Sequence, residues 1–154
     1  MKLVKYLIDY FTKELRRCRN GRNFEKQIEK VIDYIDKLGY HGHKNYAERL
    51  FDGTYLRGEP FDYEIFYKDY HAVFDAKEVQ GDTWHIVKKD IVQANNLKKC
   101  KNAGLKAYFL ICFDKKDVRQ LDVDIVIKNL KENRKSVKKD GLPNWDLISR
   151  LKNV

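Results

Sequence analysis

Residues 105–113 (LKAYFLICF) form an apolar run interrupted only by Lys106, and no other segment constrains the fold as tightly. A short run of this kind, bounded by Gly104 and the polar Asp114 to Lys116, reads as a strand buried on both faces. Only a sheet covered by helices on each side provides that environment. Residues 88–103 (KKDIVQANNLKKCKNA) read as a helix closed by Gly104, with a weak stripe of Ile91, Ala94 or Asn95, Leu97 or Lys98, and Ala103. Gln93 sits on that stripe. Residues 61–68 (FDYEIFYK) and 71–79 (HAVFDAKEV) are rich in Phe, Tyr, Ile and Val around a short polar break, the pattern of a β-hairpin. Upstream, residues 22–38 place Phe24, Ile28, Val31, Ile32, Ile35 and Leu38 on one helical face and stop at Gly39. With a strand near His41, the order predicts an α/β fold: a central mixed sheet with helices on both faces and an irregular excursion at residues 44–59.

The hairpin is where chemistry enters. With Asp69 and Tyr70 as its loop, antiparallel pairing at a constant index sum sets Asp62 opposite Lys77 and Glu64 opposite Asp75. Opposed residues share a face with every second residue along each strand, so Asp62, Asp75 and Lys77 stand side by side. Two carboxylates at that range repel, and one pKa rises unless a cation sits between them. A hard divalent ion such as Mg²⁺ or Mn²⁺ suits such oxygen donors. A lysine beside them can orient or help deprotonate a metal-bound water and offset charge developing on phosphorus. This combination is that of phosphodiester hydrolysis. A D-x-K on a strand also arises by accident on a solvated sheet face, so the weight falls on the flanking helices. Glu25 lies about 20° outside the apolar stripe of its helix, which leans its carboxylate toward the sheet; the plain alternative is a first-turn glutamate favouring the helix dipole. Gln93 is equally readable as a surface residue.

In this order of elements the chain resembles the PD-(D/E)xK nuclease superfamily, and within it the RecU-type Holliday junction resolvases of bacteria and their phages. The resemblance covers roughly residues 20–150. It rests on Gly21-Arg22-Asn23-Phe24-Glu25, Phe61-Asp62-Tyr63, Phe74-Asp75-Ala76-Lys77-Glu78, Gln93, and Arg134-Lys135-Ser136-Val137 before a final helix. It implies a restriction-endonuclease-like fold in which Asp62, Asp75 and Gln93 surround Mg²⁺, with Mn²⁺ able to substitute. Lys77 would stabilise the transition state, and Glu25 would join the catalytic set as an outer carboxylate. It further implies a homodimer acting on four-way DNA junctions, because a twofold dimer supplies two sites related by the junction's own symmetry. Two departures stand out: Asp75 replaces the usual glutamate, with a reach one methylene shorter, and Pro60 replaces a threonine two residues before Asp62. A shorter chain with an extra N-terminal segment points to a phage-encoded relative.

Composition agrees with a polyanionic partner. The net charge is +9 and the pI about 9.3, which favours a polyanion over an acidic small molecule. Basic residues expected on phosphates are Arg22, Lys44, Arg49, Arg57, Lys98, Lys99, Arg134 and Lys135. The length suits one domain spanning residues 1–154. Cys18, Cys100 and Cys112 follow no disulfide or zinc spacing and read as reduced thiols of a cytoplasmic protein. His41 and His43 lack a second ligand pair and read as strand or loop residues. Residues 1–19 are apolar on one face (Leu3, Val4, Leu7, Ile8, Phe11, Leu15) but broken by Lys5, Asp9, Lys13 and Glu14. They read as a dimer-packing helix, not a signal peptide or membrane span. Residues 44–59 interleave Tyr46, Phe51 and Tyr55 with Lys44, Arg49 and Arg57. They fit either a short stalk entering the junction centre or an ordinary loop. Two rival functions stay open: a restriction-like or repair endonuclease on linear duplex, and a catalytically idle DNA-binding module.

Overall fold

In the computed structural model the described residues are 22–46, 51–53 and 60–152. The segment at 1–19, Cys18, Arg49, Arg57 and most of the 44–59 excursion fall outside them, as does the side chain of Arg22. The elements run α1 (Arg22–Lys37), β1 (His41–Lys44), β2 (Tyr63–Tyr67), β3 (Tyr70–Val79), β4 (Thr83–His85), α2 (Lys88–Asn102), β5 (Lys106–Phe113), β6 (Asp117–Asp122), α3 (Val123–Lys131), β7 (Ser136–Lys138) and α4 (Asp146–Lys152). Five strands form one mixed sheet in the order β1-β2-β3-β5-β6, with β3 and β5 parallel and the other neighbours antiparallel. A separate ribbon pairs β4 with β7.

The expected two-sided burial of the central strand is what organises the core. Tyr108, Leu110 and Cys112 of β5 face one layer with α1 and α4, while Ala107, Phe109, Ile111 and Phe113 face the other with α2 and α3. The period-2 alternation splits β3 in the same way, sending Phe74 to the α1 layer and Val73 to the α2 layer. In α1 the stripe of Phe24, Ile28, Val31, Ile32 and Ile35 is buried as expected. Leu38 is not part of it: it lies past the helix end and is 43% exposed. There Gly39 takes φ +88°, with Gly39 N–H donating to Asp36 O and Tyr40 N–H to Ile35 O, the paired bonds of a Schellman motif. The turn brings β1 back so tightly that a Cβ on Gly42 would lie 2.9 Å from Ile32 O.

The hairpin register differs from the sequence reading by one loop position. Its loop is Lys68-Asp69, with Tyr67 opposite Tyr70 and Tyr63 opposite Phe74. Lys68 takes φ +52°, the positive φ that tight hairpin turns require at their first loop residue. The index sum is therefore two lower, which places Asp62 across from Asp75 and Glu64 across from Val73. A shift of two preserves faces, so Asp62, Asp75 and Lys77 remain on one side. Behind them, α4 is pinned through a directional chain: Trp145 Nε1–H donates to Tyr108 OH (2.8 Å), which lies 3.0 Å from Tyr70 OH, which donates to Asp146 Oδ1 (2.5 Å). Each hydroxyl accepts one bond and donates one, so this buried path has no unmatched hydroxyl.

Candidate active site

β3 outruns its hairpin partner. Residues up to Phe74 pair with β2, whereas Asp75 to Val79 continue against β5. Asp62 lies just where β2 begins, and its backbone N–H donates to Asp75 Oδ1 at 2.8 Å. The second oxygen, Asp75 Oδ2, is buried and has no hydrogen-bond partner. Asp75 is 1% exposed, and its carboxyl is pushed up to about 7, first by burial and then by the negative charge of Asp62. A buried carboxylate oxygen without a donor, repelled by a neighbouring carboxylate, is an arrangement a cation relieves.

Among the described residues no three His, Cys, Asp or Glu side chains cluster closely enough to hold a metal by themselves. The donor set fits a hard cation all the same. Mg²⁺ is commonly held by one or two carboxylates and completes its shell with water and phosphate oxygens. Asp62 and Asp75 are those two carboxylates here.

Lys77 lies two residues on along β3, on the same face, its side chain 17% exposed. Its Nζ donates to Gln93 Oε1 and stands 2.7 Å from Asp90 Oδ1. Gln93 thus joins the group through Lys77. Asp90, which the sequence reading passed over, is 4% exposed, and its Oδ2 accepts the Val87 N–H at 2.9 Å. The available signal was its position three residues before Gln93, which sets both on one helix face.

Glu25 has a different neighbourhood. Its side chain is 60% exposed, with Oε2 3.7 Å from Lys44 Nζ, and its charge acts on Tyr63 and Glu78. The Glu78 carboxyl is raised, by burial first and then by Glu25. Lys44 is also 2.5 Å from Glu29. Burial lowers the Lys44 pKa, but the Glu29 hydrogen bond and the two glutamate charges outweigh it and leave it raised.

No protein-family profile and no curated protein matches the sequence. Among solved structures, the chain is similar to Hjc of Archaeoglobus fulgidus, a Holliday junction resolvase from an archaeal hyperthermophile. The TM-score is 0.51 over 81% of this chain and 97% of that one, at 10% sequence identity. The two share a fold, a five-stranded mixed sheet flanked by helices.

On this fold the basic residues separate by what they touch. Lys98 is 2.6 Å from Asp124, and Lys101 bridges Asp122 and Asp124 at 2.6 and 2.7 Å. These contacts lower the Asp124 carboxyl, with the Lys101 hydrogen bond the leading cause. Lys98 and Lys44 therefore enter any phosphate contact already neutralised. Lys99 and Lys135 make no ion pair among the described residues, and Arg134 only an exposed one, 3.6 Å from Glu132. Lys135 borders α2 directly: its carbonyl accepts the Ile86 N–H at 2.8 Å, shortly before the helix that carries Asp90 and Gln93. No helix among the described residues is long and apolar enough to cross a membrane.

The Asp75 shift has a definite sign for stability. A carboxyl raised from 3.8 to about 7 on folding stabilises the fold fully below the unfolded value and loses that contribution as pH rises through the folded one. Asp75→Asn in metal-free buffer is therefore expected to be more stable than the wild type at pH 8, with the gap closing toward pH 4. Thermal midpoints of both proteins in EDTA across that range check this; parallel curves would contradict it.

Proposed function

We propose that the chain is a Mg²⁺-dependent endonuclease that nicks four-way DNA junctions symmetrically as a homodimer. The observation that carries this reading is the unpartnered Asp75 Oδ2 facing the charge of Asp62, with Lys77 on the same strand face of a nuclease fold. Asp62 and Asp75 would hold the cation, which when bound supplies Lewis acidity toward the scissile phosphate and lowers the pKa of an attacking water. Lys77, kept in place by Gln93 and Asp90, offsets negative charge as the phosphorus centre becomes crowded. Glu25, which pairs with Lys44 apart from this group, would act as an outer carboxylate through its charge on Tyr63 and Glu78. Mn²⁺ would substitute, since it accepts the same oxygen donors.

The substrate assignment draws on the net charge of +9 and on the similarity to Hjc, itself a Holliday junction resolvase. A four-way junction presents two symmetry-related strands, and two copies of one site in a dimer match them. The test is cleavage of a synthetic four-way junction beside a linear duplex of equal length, both with Mg²⁺. Faster cutting of the junction, with paired nicks, supports the proposal; equal cutting of both supports a duplex endonuclease instead. A monomeric mass that persists with junction DNA would exclude paired nicking by one assembly.

Arg134 and Lys135, beside the segment that enters α2, are proposed as phosphate contacts. Arg134→Ala with Lys135→Ala is expected to flatten the slope of log affinity against log salt by about 2, at roughly 0.9 per lost phosphate contact. Lys98→Ala should change the slope less, because Asp124 already engages that ammonium. Binding titrations over a salt series read both effects, and an unchanged slope in the double variant would place the DNA elsewhere.

A further inference from the structure

We propose that Asp90 is the positioning residue for Lys77, a buried anion on α2 that holds the strand's ammonium in one place. This rests on the reading of Lys77 as the transition-state cation. Three observations support it. Asp90 is charged yet 4% exposed, a placement that needs compensation. Its two oxygens do separate work: Oδ2 accepts the Val87 N–H at 2.9 Å, closing the first turn of α2, while Oδ1 turns to Lys77 Nζ at 2.7 Å. Capping alone accounts for the first oxygen and leaves the second unexplained. Finally, Gln93 on the next turn of the same helix accepts a second bond from the same nitrogen.

An ammonium has three donors, and two are taken by α2. One remains for a reacting phosphate oxygen. A free lysine carries several rotatable bonds and much rotamer entropy; held from two points on a helix, it arrives already ordered. The pair also ties α2 to β3 at the strand position beside the carboxylates, so the helix bearing Asp90 sets the distance between the cation of Lys77 and the anions of Asp62 and Asp75.

The test uses the full chain with Asp90→Asn, which keeps an acceptor for the Val87 N–H and removes the charge. Two readouts are needed. The first is the Lys77 side-chain ammonium signal by ¹⁵N NMR, identified by its absence in Lys77→Ala. An immobilised, ion-paired ammonium gives a resolved signal, expected in the wild type and lost in Asp90→Asn. The second is single-turnover cleavage at saturating junction DNA, expected to fall about 10- to 100-fold as for other supporting residues of a site, with binding unchanged. Asp90→Glu retains both the charge and the preferred capping residue at that position, so it folds wherever capping matters and should keep the signal and lose less activity. If Asp90→Asn keeps both the signal and the wild-type rate, Asp90 is only a helix cap and the proposal is overturned. A signal lost in Asp90→Asn from a wild type that cleaves nothing would uphold the positioning role and overturn the nuclease reading.

Discussion

Asp75→Asn is expected to reduce single-turnover cleavage by about a thousandfold, since a cation's electrostatic contribution of several kcal/mol is lost with its buried ligand. DNA binding should survive. Asp62→Asn and Lys77→Ala should behave alike: each removes charge from the same strand face without touching Lys99, Arg134 or Lys135. In metal-free buffer the two asparagine variants should bind DNA slightly more tightly, because one fewer carboxylate repels phosphate. The measurement is a pair of curves per variant, binding in EDTA and cleavage in Mg²⁺. Parallel loss of binding and cleavage with intact folding would contradict a catalytic role.

The second large effect concerns the opposite side of the same strand. Phe74 immediately precedes Asp75 but points into the α1 layer, fully buried, stacked on Tyr63 at 5.2 Å and Tyr108 at 5.1 Å, with Trp145 edge-on at 5.6 Å. Phe74→Ala is expected to cost about 3–5 kcal/mol of stability, the range for a buried aromatic whose neighbours collapse incompletely. Those neighbours belong to β2, β5 and the segment entering α4, and two of them, Tyr108 and Trp145, are hydrogen-bonded to each other and move poorly by themselves. Urea unfolding gives the value directly, and a loss below about 1 kcal/mol would mean that the aromatic stack is not packed as described.

Periodicity made the faces legible and left the partners hidden. The hairpin loop lies one residue earlier than the pattern predicts, yet Asp62, Asp75 and Lys77 share one face in either register, because moving the loop by one changes the index sum by two. The buried strand at 106–113 and helices on both sides of it follow from its apolar run and from the periodic stripes of the flanking segments. Partners are another matter. Nothing in the local pattern links Lys98 to Asp124, Lys44 to Glu29, or Lys77 to Asp90, since each pair joins separate elements. The basic clusters therefore looked uniformly available for phosphate, although Lys98 and Lys44 are engaged. The β4–β7 ribbon leaves no local pattern for a similar reason: its strands are three residues each and lie more than 50 positions apart. Glu25 stands in the first turn of α1, largely exposed, with Lys44 at the sheet edge as its partner.

The central claim is that Asp62, Asp75 and Lys77 form a metal-dependent phosphodiesterase site. Its most direct test is nicking of an end-labelled four-way junction by the wild type and by Lys77→Ala, each with Mg²⁺ and with EDTA. The account predicts product only for the wild type with Mg²⁺, at paired positions on opposing strands. Product that appears in EDTA, or equally with Lys77→Ala, would contradict it.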